Sequence, residues 1–132
     1  MTENAANLQP PPPQVWPTLR AHDARGLIKF LVDAFGFEET VVYGDGDLVH
    51  HAELAWPPGG GIMLGSAGTR APGTGQAYVV CDDPDGLYKR AVAGGATVVR
   101  ELADTDYGSR DFAVLDPEGN HWSFGTYRGH PR

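Results

Sequence analysis

The chain contains two similar segments, and this internal repeat constrains its fold more than any other feature. In each copy a helix-like pattern ends at a glycine and a β-rich run begins, at residues 34–42 and again at residues 91–100. A short apolar strand precedes each copy, and two further strand-like runs follow it. The sequence therefore predicts two modules of roughly 50 residues, each with the order strand, helix, strand, strand, strand.

Length and composition fit a single folded domain. The chain has 132 residues, of which 41% are hydrophobic, and at this length one buried core is expected. We predict a disordered, proline-rich tail at residues 1–14, one domain at residues 15–127 and a short tail at residues 128–132. Within the domain, module one spans residues 15–66, a linker of small and polar residues spans 67–75, and module two spans 76–127.

Cap and turn residues place the elements of module one. Asp23 is the expected N-cap of a helix with one apolar stripe, and Gly36 is its expected stop. The stripe consists of Leu27, Phe30, Leu31 and Ala34. Strands are expected at residues 15–20, 38–43, 48–55 and 62–65, the middle two joined by a hairpin.

Module two carries the same signals. A strand that begins at Gln76 precedes a helix with Asp83 as its N-cap and Pro84 in its first turn. Further strands are expected at residues 97–102, 112–115 and 121–126, the last two joined by a turn at residues 116–120.

Charge and hydropathy exclude several classes of partner. The formal net charge is -7, and an acidic surface repels nucleic acid and anionic lipid. Neither a signal peptide nor an apolar stretch of membrane-spanning length is recognisable. We therefore expect a cytoplasmic protein that binds neither nucleic acid nor membranes. The lone cysteine, Cys81, lies in an apolar strand pattern and is interpreted as a core residue.

Five segments, together with the repeat, resemble the vicinal oxygen chelate superfamily, which includes glyoxalase I, extradiol dioxygenases, fosfomycin resistance enzymes and bleomycin resistance proteins. They lie at residues 17–23, 35–37, 51–54, 62–64 and 116–123. The small bacterial branch of glyoxalase-like or bleomycin-resistance-like proteins is the most similar. The resemblance implies an α+β fold in which two βαβββ modules form curved mixed sheets around a pocket, and a homodimer with composite sites.

The resemblance also implies where a metal would bind. Enzymes of this superfamily hold a divalent metal with His, Glu or similar groups, one on the first strand and one on the last strand of each module. The matching positions are Trp16, Met63, Gln76 and Ser123. None of these is a strong ligand for zinc, nickel, iron or manganese, so we predict no metal site and no cofactor.

The histidines leave a second interpretation open. His51 and Glu53 are two residues apart on a predicted strand and share one face, and His121 shares a face with Ser123. The three side chains are interpreted as hydrogen-bonded or exposed polar residues. A noncanonical metal site, or acid–base catalysis without metal, is the alternative, and His51, Glu53 and His121 are then the catalytic candidates.

Strand alternation and the resemblance together predict a ligand-binding lining. It has aromatic stacking surfaces and hydrogen-bonding groups, and it suits a flat or heteroaromatic organic ligand. Its predicted members are Trp16, Thr18, Arg20, Trp56, Met63, Gln76, Tyr78, His121 and Ser123. The aromatic side chains have an alternative role in the core or in a dimer interface. Trp122 lies on the opposite face of its strand from Ser123 and is assigned to the helix-facing core. Arg20 either binds an acidic group of the ligand or pairs with Glu53 or Asp111.

Three functions follow from these patterns. The first is a metal-independent binding protein of the bleomycin-resistance type, which sequesters an organic, aromatic ligand. The second is a glyoxalase-like or dioxygenase-like metalloenzyme with noncanonical ligands. The third is an accessory module with a vestigial pocket. Because the four metal positions lack metal-binding groups, the sequence favours the first.

Overall fold

The computed structural model describes residues 13–68 and 74–130. The predicted tails at residues 1–14 and 128–132 and the predicted linker at 67–75 therefore lie partly outside the described residues. In chain order the elements are Thr18–Ala21 (β1), Ala24–Phe30 (α1), Glu38–Asp45 (β2), Leu48–Ala55 (β3), Gly61–Ser66 (β4), Gln76–Val80 (β5), Pro84–Ala93 (α2), Thr97–Asp104 (β6), Arg110–Leu115 (β7) and His121–Gly125 (β8), with a π-helical turn at Leu31–Phe35 directly after α1.

The two modules have the same topology. Each forms a four-stranded mixed sheet, with strand order β1-β4-β3-β2 in module one and β5-β8-β7-β6 in module two. The first and last strands of each module pair in parallel, and the other pairs are antiparallel. The α+β fold of two βαβββ modules is thus confirmed, whereas the homodimer stays a prediction.

Both helices begin where the cap residues indicate. The Asp23 carboxylate accepts a hydrogen bond from the Gly26 N–H at 3.0 Å, and Asp83 accepts one from Gly86 at 3.1 Å. These contacts satisfy amides that the first helical turn leaves unpaired. Helix α1 widens into the π-helical turn and ends at Gly36, whose φ of 91° is a conformation that favours glycine.

The first strand is shorter than the sequence predicts. It begins at Thr18, where pairing with β4 starts opposite Met63, and not at residue 15. Trp16 lies before the strand, and its indole N–H donates to the carbonyl of Pro13 at 3.0 Å. The prediction that Trp16 belongs to the first strand was therefore wrong.

One core joins the two modules. The ring of Phe35 lies 5.4 Å from the Trp122 ring and 4.9 Å from the Phe124 ring, centroid to centroid. Helix α2 lies against the π-helical turn, where Arg90 donates to the carbonyls of Val32 and Asp33. The shared core fixes how the modules sit relative to one another, and so fixes the space between them.

Helix lengths bear on the membrane question. Helix α2, with ten residues, is the longer of the two α-helices. Within the described chain, no helix combines the length and the apolar character needed to cross a bilayer.

Candidate binding cleft between the two modules

An open cleft of about 440 Å3 lies where the modules meet. Module one contributes the loop at residues 58–61 and the side chains of Phe37, Trp56 and Ile62. Module two contributes strand β5 at residues 77–80, and Trp122. The segment before β1 reaches the cleft through Val15 and Pro17, and Asp82 and Arg128 form its charged rim.

Aromatic rings form the apolar part of the cleft. The Phe37 ring lies 5.0 Å from that of Trp56 and 5.5 Å from that of Trp122. Trp122 is fully buried and Trp56 is half-buried, so each shows a limited part of its ring to the cleft. Rings packed in this way are rigid and present flat apolar surface at a small entropic cost.

The opposite wall carries almost no side chains. The loop between β3 and β4 closes with hydrogen bonds from the Trp56 N–H to the Gly60 carbonyl and from the Gly59 N–H to the Trp56 carbonyl, at 3.0 and 2.8 Å. Gly59 and Gly60 have φ angles of 145° and 88°, which side chains rarely adopt. The sequence predicts a turn here, and the structure shows that this turn forms a wall of the cleft made mainly of main chain.

Two polar contacts position residues of β5 beside the cleft. The indole N–H of Trp56 donates to the main-chain carbonyl of Val80 at 3.0 Å. The phenol of Tyr78 donates to the carbonyl of Tyr127 at 2.6 Å. Burial raises the pKa of the Tyr78 phenol, so this group stays a neutral donor throughout the physiological pH range.

The nine predicted ligand-binding residues are not all in one place. Trp56 and Tyr78 line the cleft. Gln76 and His121 line a second crevice of about 10 Å3, which is too small for an organic ligand. The other five lie elsewhere: Trp16, Thr18, Arg20, Met63 and Ser123.

Four of those five lie on the sheet faces that the helices do not cover. Met63 alternates with buried Ile62 and Leu64, and it is in register with Thr18 on one side and Glu53 on the other. Ser123 alternates with buried Trp122 and is in register with Tyr78. Arg20 is exposed on β1.

Trp16 lies beside the cleft and not in it. Its ring packs over Gly61, where an added Cβ would come within 2.8 Å of the indole. Gly61 itself lines the cleft, so Trp16 supports that wall from behind.

The catalytic candidates fall on two different sheets. His51 Nε2 lies 2.8 Å from Glu53 Oε2, and Tyr43 stacks on the His51 ring. His121 belongs to module two and is in register with Gln76. No group of three or more His, Cys, Asp or Glu side chains that could hold a metal ion occurs in residues 13–68 and 74–130. Within the described residues, the three catalytic candidates therefore do not form one site.

The four positions that match the family's metal ligands do not fit a divalent cation. The indole nitrogen of Trp16 is a donor and is already bonded to Pro13. Met63 has a thioether, Gln76 an amide and Ser123 a hydroxyl, so the set carries no anionic or imidazole ligand. Zinc, nickel, iron and manganese sites are built from those ligands.

Sequence reasoning missed part of the site. Phe37 was not predicted to line a pocket, and Trp122 was assigned to the helix-facing core, which is where its ring lies, although the ring also reaches the cleft. Arg20 is not the partner of either suggested carboxylate. Glu53 contacts His51, and buried Asp111 contacts Arg100 at 3.2 Å and the Tyr107 hydroxyl at 3.3 Å.

Comparison with known proteins places these features in a family. The family model of the Glyoxalase/Bleomycin resistance protein/Dioxygenase superfamily matches residues 14–124. The uncharacterised protein Mb0911c of Mycobacterium bovis is 34% identical over 127 residues, which cover 86% of this chain and 82% of that protein. The chain belongs to this superfamily.

Solved structures show the same fold. TioX from Micromonospora sp. ML1 is 28% identical, with a TM-score of 0.71 over 84% of this chain and 97% of TioX. A member of the superfamily from Sphaerobacter thermophilus is 22% identical, with a TM-score of 0.62 over 82% of this chain and 91% of that one. The second likeness bears on the fold alone.

Proposed function

We propose that this member of the superfamily is a metal-independent binding protein that holds a small aromatic compound in the cleft between its modules. The observation that carries the proposal is the cleft itself, which is open to solvent and is walled by Phe37, Trp56, Tyr78 and Trp122. Stacking and hydrogen bonding hold the ligand, and no bond is made or broken.

The size and lining of the cleft support this role. Its volume of about 440 Å3 lies within the range of sites that bind drug-sized molecules. Such sites are mainly apolar, with a few polar groups that orient the ligand. Here the aromatic rings supply the apolar surface, and the main chain of β5 and the charged rim supply the polar groups. A vestigial pocket would instead be filled by its own side chains.

The chemistry of the metal positions favours binding over metal-assisted turnover. The superfamily takes its name from glyoxalases, dioxygenases and bleomycin resistance proteins. Among these, sequestration by a resistance protein is the role that needs no metal-binding groups. Positions 16, 63, 76 and 123 lack such groups.

A homodimer is part of the proposal. The resemblance to the superfamily implies composite sites, and three tyrosines are exposed on or beside the uncovered face of the second sheet, at positions 78, 107 and 127. Exposed aromatic side chains are typical of protein interfaces. Sedimentation velocity tests this directly, since a mass near that of one 14.1 kDa chain at micromolar concentration contradicts it.

Tryptophan fluorescence tests the binding site. A panel of naphthalene and quinoline derivatives is titrated into the protein and into two matched variants, Trp56→Phe and Trp16→Phe. A ligand in the cleft is expected to quench Trp16→Phe more strongly than Trp56→Phe, since the ring of Trp56 lines the cleft and that of Trp16 does not. Trp122 lines the cleft in both variants, so the comparison isolates Trp56. Trp56→Ala is expected to weaken binding by about 1–3 kcal/mol.

Two results would contradict the proposal. If no compound of the panel quenches the fluorescence, the cleft does not bind aromatic ligands. If chromatography shows that a bound compound is converted to product, the protein is an enzyme. A larger loss of affinity in Trp16→Ala than in Trp56→Ala would show that the ligand binds on the sheet face beside β1 and not in the cleft.

A further inference from the structure

Strand β5 directs part of its main chain to the cleft. Within residues 13–68 and 74–130 it is the edge strand of its sheet, and β8 is the one strand that pairs with it. The His121 N–H bonds to the Gly75 carbonyl, and the Cys81 N–H bonds to the Gly125 carbonyl, both at 2.9 Å. In a parallel pair of strands, every second residue directs both its N–H and its C=O to the neighbouring strand, and the residues between direct theirs away from it. Residues 75, 77, 79 and 81 therefore face β8, and residues 76, 78 and 80 face the opposite way.

That opposite side is the cleft. Residues 77–80 of β5 line it along their whole length. The Val80 carbonyl accepts the indole N–H of Trp56, which confirms the direction in which Val80 points. Along the described chain no other strand pairs with this edge. Three main-chain groups of β5 are therefore available to a ligand in the cleft. They are the N–H of Tyr78, the C=O of Tyr78 and the N–H of Val80, so that one acceptor lies between two donors.

This pattern matches a secondary amide. An edge strand binds a second extended segment through alternating N–H and C=O groups, and a ligand with one amide and a neighbouring carbonyl meets the same groups. The aromatic rings of Phe37, Trp56 and Trp122 border the same cleft. A ring attached directly to the amide would therefore reach the aromatic wall while the amide lies along β5.

The cleft is too short for a partner strand. Trp56 already occupies the Val80 carbonyl, so the pairing edge ends there. The glycine loop at residues 59–61 closes the side opposite β5. A volume of about 440 Å3 accommodates a small molecule and not a strand with its side chains.

We infer that the ligand is an aromatic carboxamide that pairs with the main chain of Tyr78 and Val80 through the N–H of its secondary amide and a neighbouring carbonyl. This inference rests on the proposed function, since it names the chemical class of the compound bound in the same cleft. The ligand N–H donates to the Tyr78 carbonyl, and a ligand carbonyl accepts from the Val80 N–H.

Three probes separate the inference from the proposed function. The first is the dimethylamide of N-(2-naphthoyl)glycine, which has one secondary amide. The second is its ester analogue, in which oxygen replaces the amide N–H. The third is 2-methylnaphthalene, which has the ring alone. Pairing with β5 predicts that the amide binds about tenfold more tightly than the ester, and that the Tyr78 and Val80 amide resonances shift in nitrogen-edited NMR spectra.

Val80 offers a matched pair of variants. Val80→Pro removes the N–H that faces the cleft, and proline is tolerated on an edge strand when its nitrogen points away from the ladder. Val80→Ala removes most of the side chain and keeps the N–H. The amide probe is expected to bind Val80→Pro about tenfold more weakly than Val80→Ala. If Val80→Pro does not fold, the comparison of amide with ester on the wild type decides alone.

Each outcome has one meaning. If amide, ester and 2-methylnaphthalene bind equally well, strand pairing is overturned and aromatic binding stands. If none of the three binds, both are overturned. If the Tyr78 and Val80 amides are already protected from hydrogen exchange in a dimer without any probe, a second copy covers the edge and the inference is overturned.

Discussion

Trp122 donates its indole N–H to Oδ2 of Asp116 at 2.8 Å, and this contact ties the turn between β7 and β8 to a wall of the cleft. The same carboxylate accepts hydrogen bonds from the main-chain N–H groups of Glu118 and Asn120 and from the Asn120 side chain. Asp116 is 5% exposed and Asn120 1%. A single buried carboxylate thus holds the turn and orients the ring.

Asp116→Ala is expected to lower the free energy of unfolding by about 3 kcal/mol, because it leaves several buried donors without an acceptor. Urea denaturation followed by circular dichroism measures this change. Asp106→Ala is the matched control, since Asp106 is exposed in the loop before β7, and its effect should be within about 0.5 kcal/mol. Equal stability of the two variants would show that the turn does not depend on the carboxylate.

Gly94→Ala is expected to destabilise the contact between the modules. The backbone of Gly94 is right-handed helical, which alanine adopts readily, but an added Cβ would lie 2.5 Å from the Cβ of Ala34. Separating the helix from the π-helical turn should lower the free energy of unfolding by about 2 kcal/mol. The change is measured by urea denaturation.

The neighbouring glycine provides the control for steric overlap. A Cβ at Gly95 would meet nothing within 4 Å, but Gly95 has a φ of 99°. Gly95→Ala should therefore lower the free energy of unfolding by about 1 kcal/mol, through backbone strain alone. If Gly94→Ala lowers the free energy of unfolding less than Gly95→Ala does, the close packing of the two modules is contradicted.

Cys81 should react slowly in the folded protein. Burial raises the pKa of its thiol from 9.0 to about 11. At pH 9 the thiolate is then about 1% of the total in the folded state and about half in the unfolded state. Because the folded-state pKa is the higher one, the thiol also lowers stability as the pH rises from 9 to 11.

Alkylation kinetics measure this effect cleanly, since the chain has one cysteine. Iodoacetamide at pH 9 is expected to label the native protein about 50-fold more slowly than the protein in 8 M urea, from thiolate abundance alone. Mass spectrometry follows the labelled fraction. Comparable rates in the two states would mean that the thiol is exposed and ionises normally.

Local signals predicted the elements well. Asp23 and Asp83 begin the helices, and Gly36 and Gly94 lie at their ends, because capping and backbone conformation depend on residues that are close in sequence. The same principle explains why a buried face could be assigned to Trp122 and an uncovered one to Ser123, since alternation along a strand is local.

The cleft could not be predicted in this way. It exists because β5 is an edge strand, because Phe35 packs on Trp122, and because the glycine loop lies opposite β5. Each of these features depends on residues that are far apart in the chain, and a local sequence pattern does not predict it. Trp16 shows the same limit, since its ring packs over Gly61, which is far away along the chain.

The protein should not retain a stoichiometric divalent metal. It is purified without a histidine tag, incubated with nickel, zinc, manganese or iron, passed through a desalting column and measured by elemental mass spectrometry. Far less than one equivalent is expected, because Trp16, Met63, Gln76 and Ser123 supply no anionic or imidazole ligand. Near-stoichiometric metal in the natural chain that is lost in His51→Ala would contradict this prediction and place a noncanonical metal site at His51.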